Sequence, residues 1–165
     1  MRRFLTLALT VLALVLAVGA SAQGASAART PTFKKTPSFT EYAYTLNASG
    51  TIAGLKPSTQ YPNETKVFLD AHGTLTVDCL GSDGTVLGEA TVSAYFQGLQ
   101  GVRDSEIRSN TPFSVTTAFP GAPTPVQAGC PSGASYIDFR ATTFATARVM
   151  VFQGGNLLLD QTYNL

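Results

Sequence analysis

Hydrophobic and polar residues alternate in short runs along most of the chain after Ser38. The clearest run is His72–Leu80, in which Leu75, Val77 and Cys79 fall on one face and polar residues fall between them. Alternation with a period of two predicts a β-strand that has one face in the core. The prolines lie between such runs, where they mark connections because proline cannot donate a ladder hydrogen bond.

Turn-forming residues divide the chain into nine short runs, from which we expect about eight strands. The predicted runs are Phe39–Leu46, Thr51–Leu55, Val67–Leu69, His72–Leu80, Thr85–Phe96, Phe113–Phe119, Tyr136–Arg140, Phe144–Phe152 and Leu157–Leu165. The predicted turns are Asn47–Gly50, Gly81–Gly84 and Gly154–Asn156. Gly88 marks a bulge or bend. The alternation of Phe113, Val115 and Phe119 predicts that all three point inward.

This spacing of strands and turns predicts an all-β fold, an antiparallel two-sheet β-sandwich of immunoglobulin-like architecture, with a barrel as the alternative. No amphipathic helix with caps competes with the strand pattern. The chain contains no tryptophan, so the immunoglobulin comparison concerns architecture only.

The N-terminus predicts export. Met1, Arg2 and Arg3 precede an apolar run over residues 4–18, and Ala20-Ser21-Ala22 supplies the small residues of a cleavage site. We therefore predict a cleaved signal peptide over 1–22, a flexible leader over 23–37 and a single β-sandwich domain over 38–165. The apolar run is short for a bilayer span, so we expect no membrane span in the mature form and a secreted, periplasmic or cell-surface location.

Composition narrows the choice of partners. Only 13% of the residues are charged and 44% are hydrophobic, which argues against charge-driven disorder. The formal net charge is +1 with the signal peptide, and removal of Arg2 and Arg3 lowers it by two units. A nearly neutral domain is a poor partner for nucleic acid, so we expect none.

Cys79 and Cys130 are the only two cysteines. An even pair in an oxidising compartment predicts a disulfide. A reactive thiol is the disfavoured alternative, since neither cysteine has a histidine, lysine or arginine close in sequence to lower its pKa.

Candidate catalytic groups are sparse. The single histidine, His72, follows Asp70 by two residues, and a small hydrolase using both with an unidentified serine or threonine stays open as an alternative. We favour a histidine on the polar face of a strand. Asp104 and Glu106 form the only close carboxylate pair, which we interpret as a solvated loop. The chain lacks a phosphate-binding glycine motif and a zinc-type ligand set, so we predict no cofactor and no metal.

Four further features bear on binding. The segment 118–133 contains four prolines, which suits either a long surface connection or a stiff binding loop. The strand Leu157–Leu165 is a candidate free edge that pairs with another chain. Asn47 and Asn63 begin triplets of the N-glycosylation type, which we interpret as chance matches. The six tyrosines suggest either a binding face or ordinary cross-strand packing, and we favour the second.

Three features at the C-terminal side of the chain carry a resemblance to a known group of proteins: the sequence Cys130-Pro131-Ser132-Gly133, the upstream Cys79 and the predicted final hairpin over residues 144–157. With these features the chain resembles small exported bacterial β-sandwich proteins with one cysteine pair, whose function is generally unassigned. The resemblance covers roughly residues 70–165 and implies export, a disulfide and an all-β fold.

We therefore predict a secreted or envelope-associated module that is not an enzyme and that binds or supports an unknown protein or envelope component. The alternatives are a small secreted hydrolase using His72 and a small β-type inhibitor or ligand carrier. The sequence assigns no binding residues beyond the candidate loop.

Overall fold

Strands dominate the computed structural model, which describes residues 30–165. The strands are β1 (Thr32–Phe33), β2 (Ser38–Tyr42), β3 (Thr45–Ala53), β4 (Thr65–Leu80), β5 (Val86–Val102), β6 (Asn110–Thr116), β7 (Tyr136–Gln153) and β8 (Asn156–Asn164). A 3-10 turn at Asp104–Glu106 follows β5, and a one-turn helix, α1 (Pro125–Ala128), follows β6.

The strands form two antiparallel sheets that pack face to face. In the short-stranded sheet, β3 pairs with β6 on one side and with β1 and β2 on the other. In the long-stranded sheet the order is β5-β4-β7-β8. The sheets do not close on themselves, so the predicted β-sandwich is confirmed and the barrel alternative is wrong.

Alternation along the strands builds the core between the two sheets. Ile52 of β3, Leu69 of β4, Phe96 of β5 and Val149 of β7 are fully buried. Removal of such side chains from water is the main favourable term in folding. Leu75, Val77 and Cys79 are buried as the pattern predicted.

Three strands are longer than the sequence predicted, and one of them, β5, extends to Val102 instead of ending at Phe96. Val67–Leu69 and His72–Leu80 belong to one strand, β4, and Tyr136–Arg140 and Phe144–Phe152 belong to β7. Register shifts opposite His72/Gly73 and Thr76/Val77 insert extra residues into β7. Each bulge moves the alternation of β7 to the other face, so this strand has the appearance of two short ones in the sequence. The buried residues of β4 keep one alternation from Thr65 to Cys79.

The first predicted turn is wrong. Ala43 and Tyr44 form the turn, and β3 runs straight through Asn47–Gly50. Ala48 is buried, and the Asn47 amide donates hydrogen bonds to β6. These tertiary contacts outweigh the turn preference of the Asn-Ala-Ser-Gly sequence.

Ordered structure also begins before Ser38. Thr32 and Phe33 pair with Ala53 and Ile52 of β3, and Lys34 donates its N–H to the carbonyl of Thr51. The predicted leader is therefore wrong over its final residues, because pairing to β3 satisfies its backbone groups. The predicted signal peptide over 1–22 and residues 23–29 lie outside the described residues.

The middle of the chain brings further corrections. β6 ends at Thr116, and Phe119 lies beyond it with 45% of its surface exposed, so its predicted inward position in a strand is wrong. Pro112 lies within β6, which tolerates it because β6 is an edge strand. The Gly81–Gly84 turn, the final hairpin turn and the bulge near Gly88 are confirmed.

Candidate functional site

A disulfide joins Cys79 at the end of β4 to Cys130, with the two Cα atoms 5.6 Å apart. The predicted pairing is confirmed. It fixes the long connection between β6 and β7 to the end of the long-stranded sheet. We call residues 118–135 the disulfide loop and the part of the molecule that they cover the disulfide end.

The disulfide loop takes the place of a second sheet at this end. Phe119 packs edge-on against Phe139 at 4.8 Å and against Tyr44 at 5.6 Å, and the Tyr44 hydroxyl donates to the Phe139 carbonyl. Further along, the Ser135 N–H donates to the carbonyl of Leu80 at 2.7 Å. The loop is therefore attached at its start, at Cys130 and at its end.

The helix α1 fixes the centre of the loop. Thr124 and Gln127 form a capping box, in which the Thr124 hydroxyl accepts from the Gln127 N–H and the Gln127 side chain accepts from the Thr124 N–H. Pro125 occupies the first helical position, and Gly129 ends the helix at a φ of 80°. The Cys130 N–H donates to the Pro125 carbonyl at 2.9 Å, which closes the turn.

This turn presents an apolar side chain to solvent. Val126 is 87% exposed, the highest value among the large hydrophobic residues found exposed. Leu87 is exposed beside Gly133 of the disulfide loop, and Val86 and Tyr136 are exposed on the outer face of the long-stranded sheet at the same end. We call Val86, Leu87, Val126 and Tyr136 the apolar tip.

Acidic side chains are concentrated at the disulfide end, where Asp78, Glu89 and Asp138 lie on the outer face of the long-stranded sheet, opposite to the buried Cys79. Asp78, Asp83, Glu89 and Asp138 lie at the disulfide end together with Arg140, which gives a formal charge of −3. Arg140 contacts Glu89 at 2.9 Å and Asp78 at 3.5 Å. The Thr85 hydroxyl and N–H both donate to the Asp83 carboxylate and lower its pKa. Asp83 therefore stays ionised at neutral pH.

His72 lies elsewhere, on the outer face of the long-stranded sheet. It is exposed, and its ring stacks on Tyr95 with the ring centres 4.7 Å apart. Asp70 shares that face but accepts from the Gln97 amide at 3.3 Å, and the same amide donates to the Tyr95 hydroxyl. Within residues 30–165, no hydrogen bond joins the His72 imidazole to Asp70 or to a hydroxyl. Desolvation and the neighbouring Asp70 raise the pKa of Tyr95.

Asp104 and Glu106 shape a turn. The Glu106 carboxylate accepts from the Arg103 N–H at 3.1 Å, and the Asp104 N–H donates to the Asn63 side chain. In the part of the chain that the structure describes, no three histidine, cysteine, aspartate or glutamate side chains group together in a way that would hold a metal ion.

The two asparagines of the glycosylation-type triplets are bonded within the fold. The Asn47 amide donates to Ser114 and Thr116 across to β6, and Asn63, at a φ of 58°, accepts from Asp104. The tyrosines do not share one face. Tyr44 packs against Phe139 and Tyr163 packs against Phe39, and both side chains are half-buried in these contacts.

The opposite end of the molecule holds a cleft of about 800 Å³ that sequence reasoning missed. Leu55 and Ile107 line it with the cations Lys56 and Arg108, and no carboxylate is among the lining residues. We call it the basic cleft. Its residues come from three separate connections, so no local motif indicates it.

Comparison with known proteins adds no relative. No family model, no curated protein and no solved structure matches the chain. Among the described helices, none has the length and apolar content needed to cross a membrane. We therefore infer a function from the geometry of the described residues alone.

Proposed function

We propose that this protein is an exported binding module that acts by contact, and that the apolar tip on the disulfide loop is its binding surface. One observation carries the proposal. Val126 is 87% exposed although it sits on a turn held by a proline, a capping box and a disulfide. Val86, Leu87 and Tyr136 are also exposed at this end of the molecule, and a group of exposed apolar side chains commonly marks a contact surface.

The way the loop is held supports binding as its role. A side chain on a pre-organised turn loses less conformational entropy when it binds than one on a loose segment. The disulfide is also consistent with an oxidising compartment, as the predicted export requires. His72 has no part in this proposal, because its ring stacks on Tyr95 on a different surface.

The test is capture of partners from the medium and envelope of the producing cells. The purified wild-type protein is compared with Val126→Asp, which places a charge at the centre of the apolar tip. Tyr42→Asp is the matched control, since Tyr42 is 59% exposed on β2 of the short-stranded sheet. We expect at least one protein that wild type and Tyr42→Asp capture and that Val126→Asp loses by roughly tenfold or more.

Equal capture by all three proteins would place the contact elsewhere on the surface. Loss of capture by His72→Ala with Val126→Asp unaffected would point to the outer face of the long-stranded sheet instead. Circular dichroism of each variant separates a lost contact from a lost fold.

A further inference from the structure

The strand β8 leaves one of its edges without a partner. It is the last strand of the long-stranded sheet and pairs with β7 alone. The Leu165 N–H donates to Ala145 of β7, so by alternation the backbone groups of Asp160, Thr162 and Asn164 point away from β7. Within residues 30–165, no other backbone group forms a hydrogen bond with them.

The other sheet edges are short, interrupted or covered. On β5, the Gln97 carbonyl accepts from the Ala118 N–H at 2.7 Å. The strand β6 contains Pro112, and its Ser114 N–H donates to the Gln100 side chain at 2.8 Å. The strands β1 and β2 have only two and five residues. Edges of these kinds resist pairing with a further strand.

The edge of β8 is long and uninterrupted by comparison. The strand has nine residues, and proline, lysine and arginine are absent from it. Its bulge lies next to the hairpin turn, so Leu159–Asn164 pairs with β7 without a register shift. Its one carboxylate, Asp160, forms an ion pair with Arg148 of β7, which neutralises the charge beside the edge. An uncovered edge of this length is a template for one more strand.

The sequence of β8 is complementary to itself. An antiparallel arrangement with a two-fold axis at Gln161 sets Asp160 opposite Thr162 of a second copy, where the carboxylate accepts from the hydroxyl. Both residues point their backbone groups at the free edge, so each such pair exchanges both of its N–H···O bonds. The same axis brings Leu157 near Leu165 of the second copy, and these side chains are 49% and 43% exposed in the single chain. Their contact removes apolar surface from water.

The other symmetric registers each have a defect. An axis at Asp160 sets this carboxylate opposite its own copy, and like charges directly opposite each other destabilise a sheet. An axis at Leu159 places the bulge of β8 inside the new ladder. An axis at Thr162 leaves the exposed Leu157 beyond the end of the ladder. The axis at Gln161 avoids all three defects.

We propose that two copies of this chain pair antiparallel through the free edges of β8, about a two-fold axis at Gln161. The two long-stranded sheets then form one continuous sheet of eight strands, four from each copy. Such an isologous contact uses the same edge in both copies and closes at a dimer. The strand β8 pairs only with residues 146–153 of β7, whereas Tyr136 of the apolar tip begins that strand. The inference therefore does not depend on the proposed function.

Sedimentation equilibrium of the purified protein over a range of concentrations tests the pairing. We expect the average mass to rise from that of one copy to a plateau at two copies. Thr162→Pro removes an N–H at the free edge and should weaken dimerisation by roughly tenfold or more. Thr162→Ser is the matched control, since it keeps both the N–H and the hydroxyl and should dimerise like wild type. Val126→Asp should also dimerise like wild type, because it alters only the apolar tip.

Disulfide crosslinking tests the register. In Gln161→Cys the two thiols face each other across the axis in a non-hydrogen-bonded pair, whose Cα separation of about 4.5 Å suits a disulfide. Leu157→Cys is the exposed control, because eight residues separate it from its own copy along the ladder, roughly 26 Å. Mild oxidation should give a covalent dimer of Gln161→Cys and leave Leu157→Cys monomeric. Cys79 and Cys130 are already bonded to each other and do not compete.

Wild-type protein that stays monomeric at every concentration would overturn the inference, and so would growth beyond two copies without a plateau. A folded Thr162→Pro that dimerises like wild type would also overturn it. If circular dichroism shows that Thr162→Pro does not fold, crosslinking decides, and covalent dimers of Leu157→Cys without those of Gln161→Cys would contradict the register. The proposed function fails separately, since Val126→Asp that captures partners normally and dimerises normally would refute only the role of the apolar tip.

Discussion

Neighbouring residues of one strand have different roles in this protein, because their side chains lie on opposite faces of the sheet. Cys79 is buried and holds the disulfide loop, whereas its neighbour Asp78 points outward and contacts Arg140. On β7, Val149 is buried and Arg148 is exposed. The exposed ion pairs add little stability, because water and salt screen them. These ion pairs mainly affect the local charge of the surface, because few residues of the chain are charged.

The pair of Arg148 and Asp160 gives a prediction for pH. Two hydrogen bonds, of 2.7 and 2.5 Å, join the guanidinium to the carboxylate and hold the pKa of Asp160 below its ordinary value of 3.8. The stability from this pair is present above pH 3.8 and is lost as the pH falls through the lower pKa of the folded state.

Arg148→Met should therefore raise the pKa of Asp160 toward 3.8, measured by NMR titration of the carboxyl carbon. Arg140→Met, on the same strand, is the control and should leave the pKa of Asp160 in place. An unchanged pKa of Asp160 in Arg148→Met would contradict the assignment.

Substitution of Gly98 tests how closely the two sheets approach each other, since it adds a single methyl group. A Cβ at Gly98 would overlap the backbone carbonyl of Thr116, whereas a Cβ at Gly101 on the same strand has open space. Gly98→Ala should lower the free energy of unfolding by about 1–3 kcal/mol in a urea titration. Gly101→Ala should be neutral or slightly stabilising, because alanine suits a strand better than glycine. Equal effects at both positions would contradict the close approach.

Strands and their pairing were predictable from the sequence where alternation was unbroken. The final hairpin and the Gly81–Gly84 turn are confirmed because glycine marks each turn and apolar residues flank it. The failures have separate causes. Bulges divided β7 into shorter runs, whereas in β4 the turn-favouring residues Asp70 and Gly73 interrupted the sequence pattern although the strand continues. The turn-like Asn47–Gly50 sequence lies inside a strand because β6 and the core hold it there.

The candidate site was only partly predictable. The even number of cysteines and the predicted export signal together predicted the disulfide. The prolines indicated the position of the loop. The exposure of Val126 could not be predicted, since it depends on the hydrogen bonds that close α1. The basic cleft could not be predicted from the sequence either, because Leu55 and Ile107 are brought together only by the fold. Exposure and concavity are properties of the packed chain, not of a short sequence.

The edge strand β8 gives a prediction at the scale of an element. Leu165 donates its N–H to Ala145 on β7, so by alternation the N–H of Gln161 also faces β7 and that of Thr162 faces the free edge. Gln161→Pro should therefore destabilise the protein by at least about 1 kcal/mol more than Thr162→Pro. Chemical denaturation measures the difference. A larger loss in Thr162→Pro would contradict this orientation of β8.

At the scale of the whole molecule, the disulfide determines how one end of the sandwich is covered. The long-stranded sheet there packs against a loop instead of a second sheet, through Phe119 and Cys130. The Cys79→Ser, Cys130→Ser double variant should lose about 4 kcal/mol of unfolding free energy, the chain-entropy value for a closed loop of this length.

Limited proteolysis of the same variant should cut first within residues 118–135, because the loop loses its central attachment. The protein with its disulfide intact is the control and should resist cleavage there. First cleavage in the turn at Gly154–Gly155 instead would show that the disulfide is not what holds the loop.

The most direct measurement of contact through the apolar tip is site-specific photo-crosslinking in the cells that produce the protein. A photoreactive phenylalanine analogue replaces Val126 in one variant and Tyr42 in another, both of which are exposed. We predict a discrete crosslinked adduct from position 126 and none from position 42. Adducts from position 42 alone, or none from position 126, would contradict it.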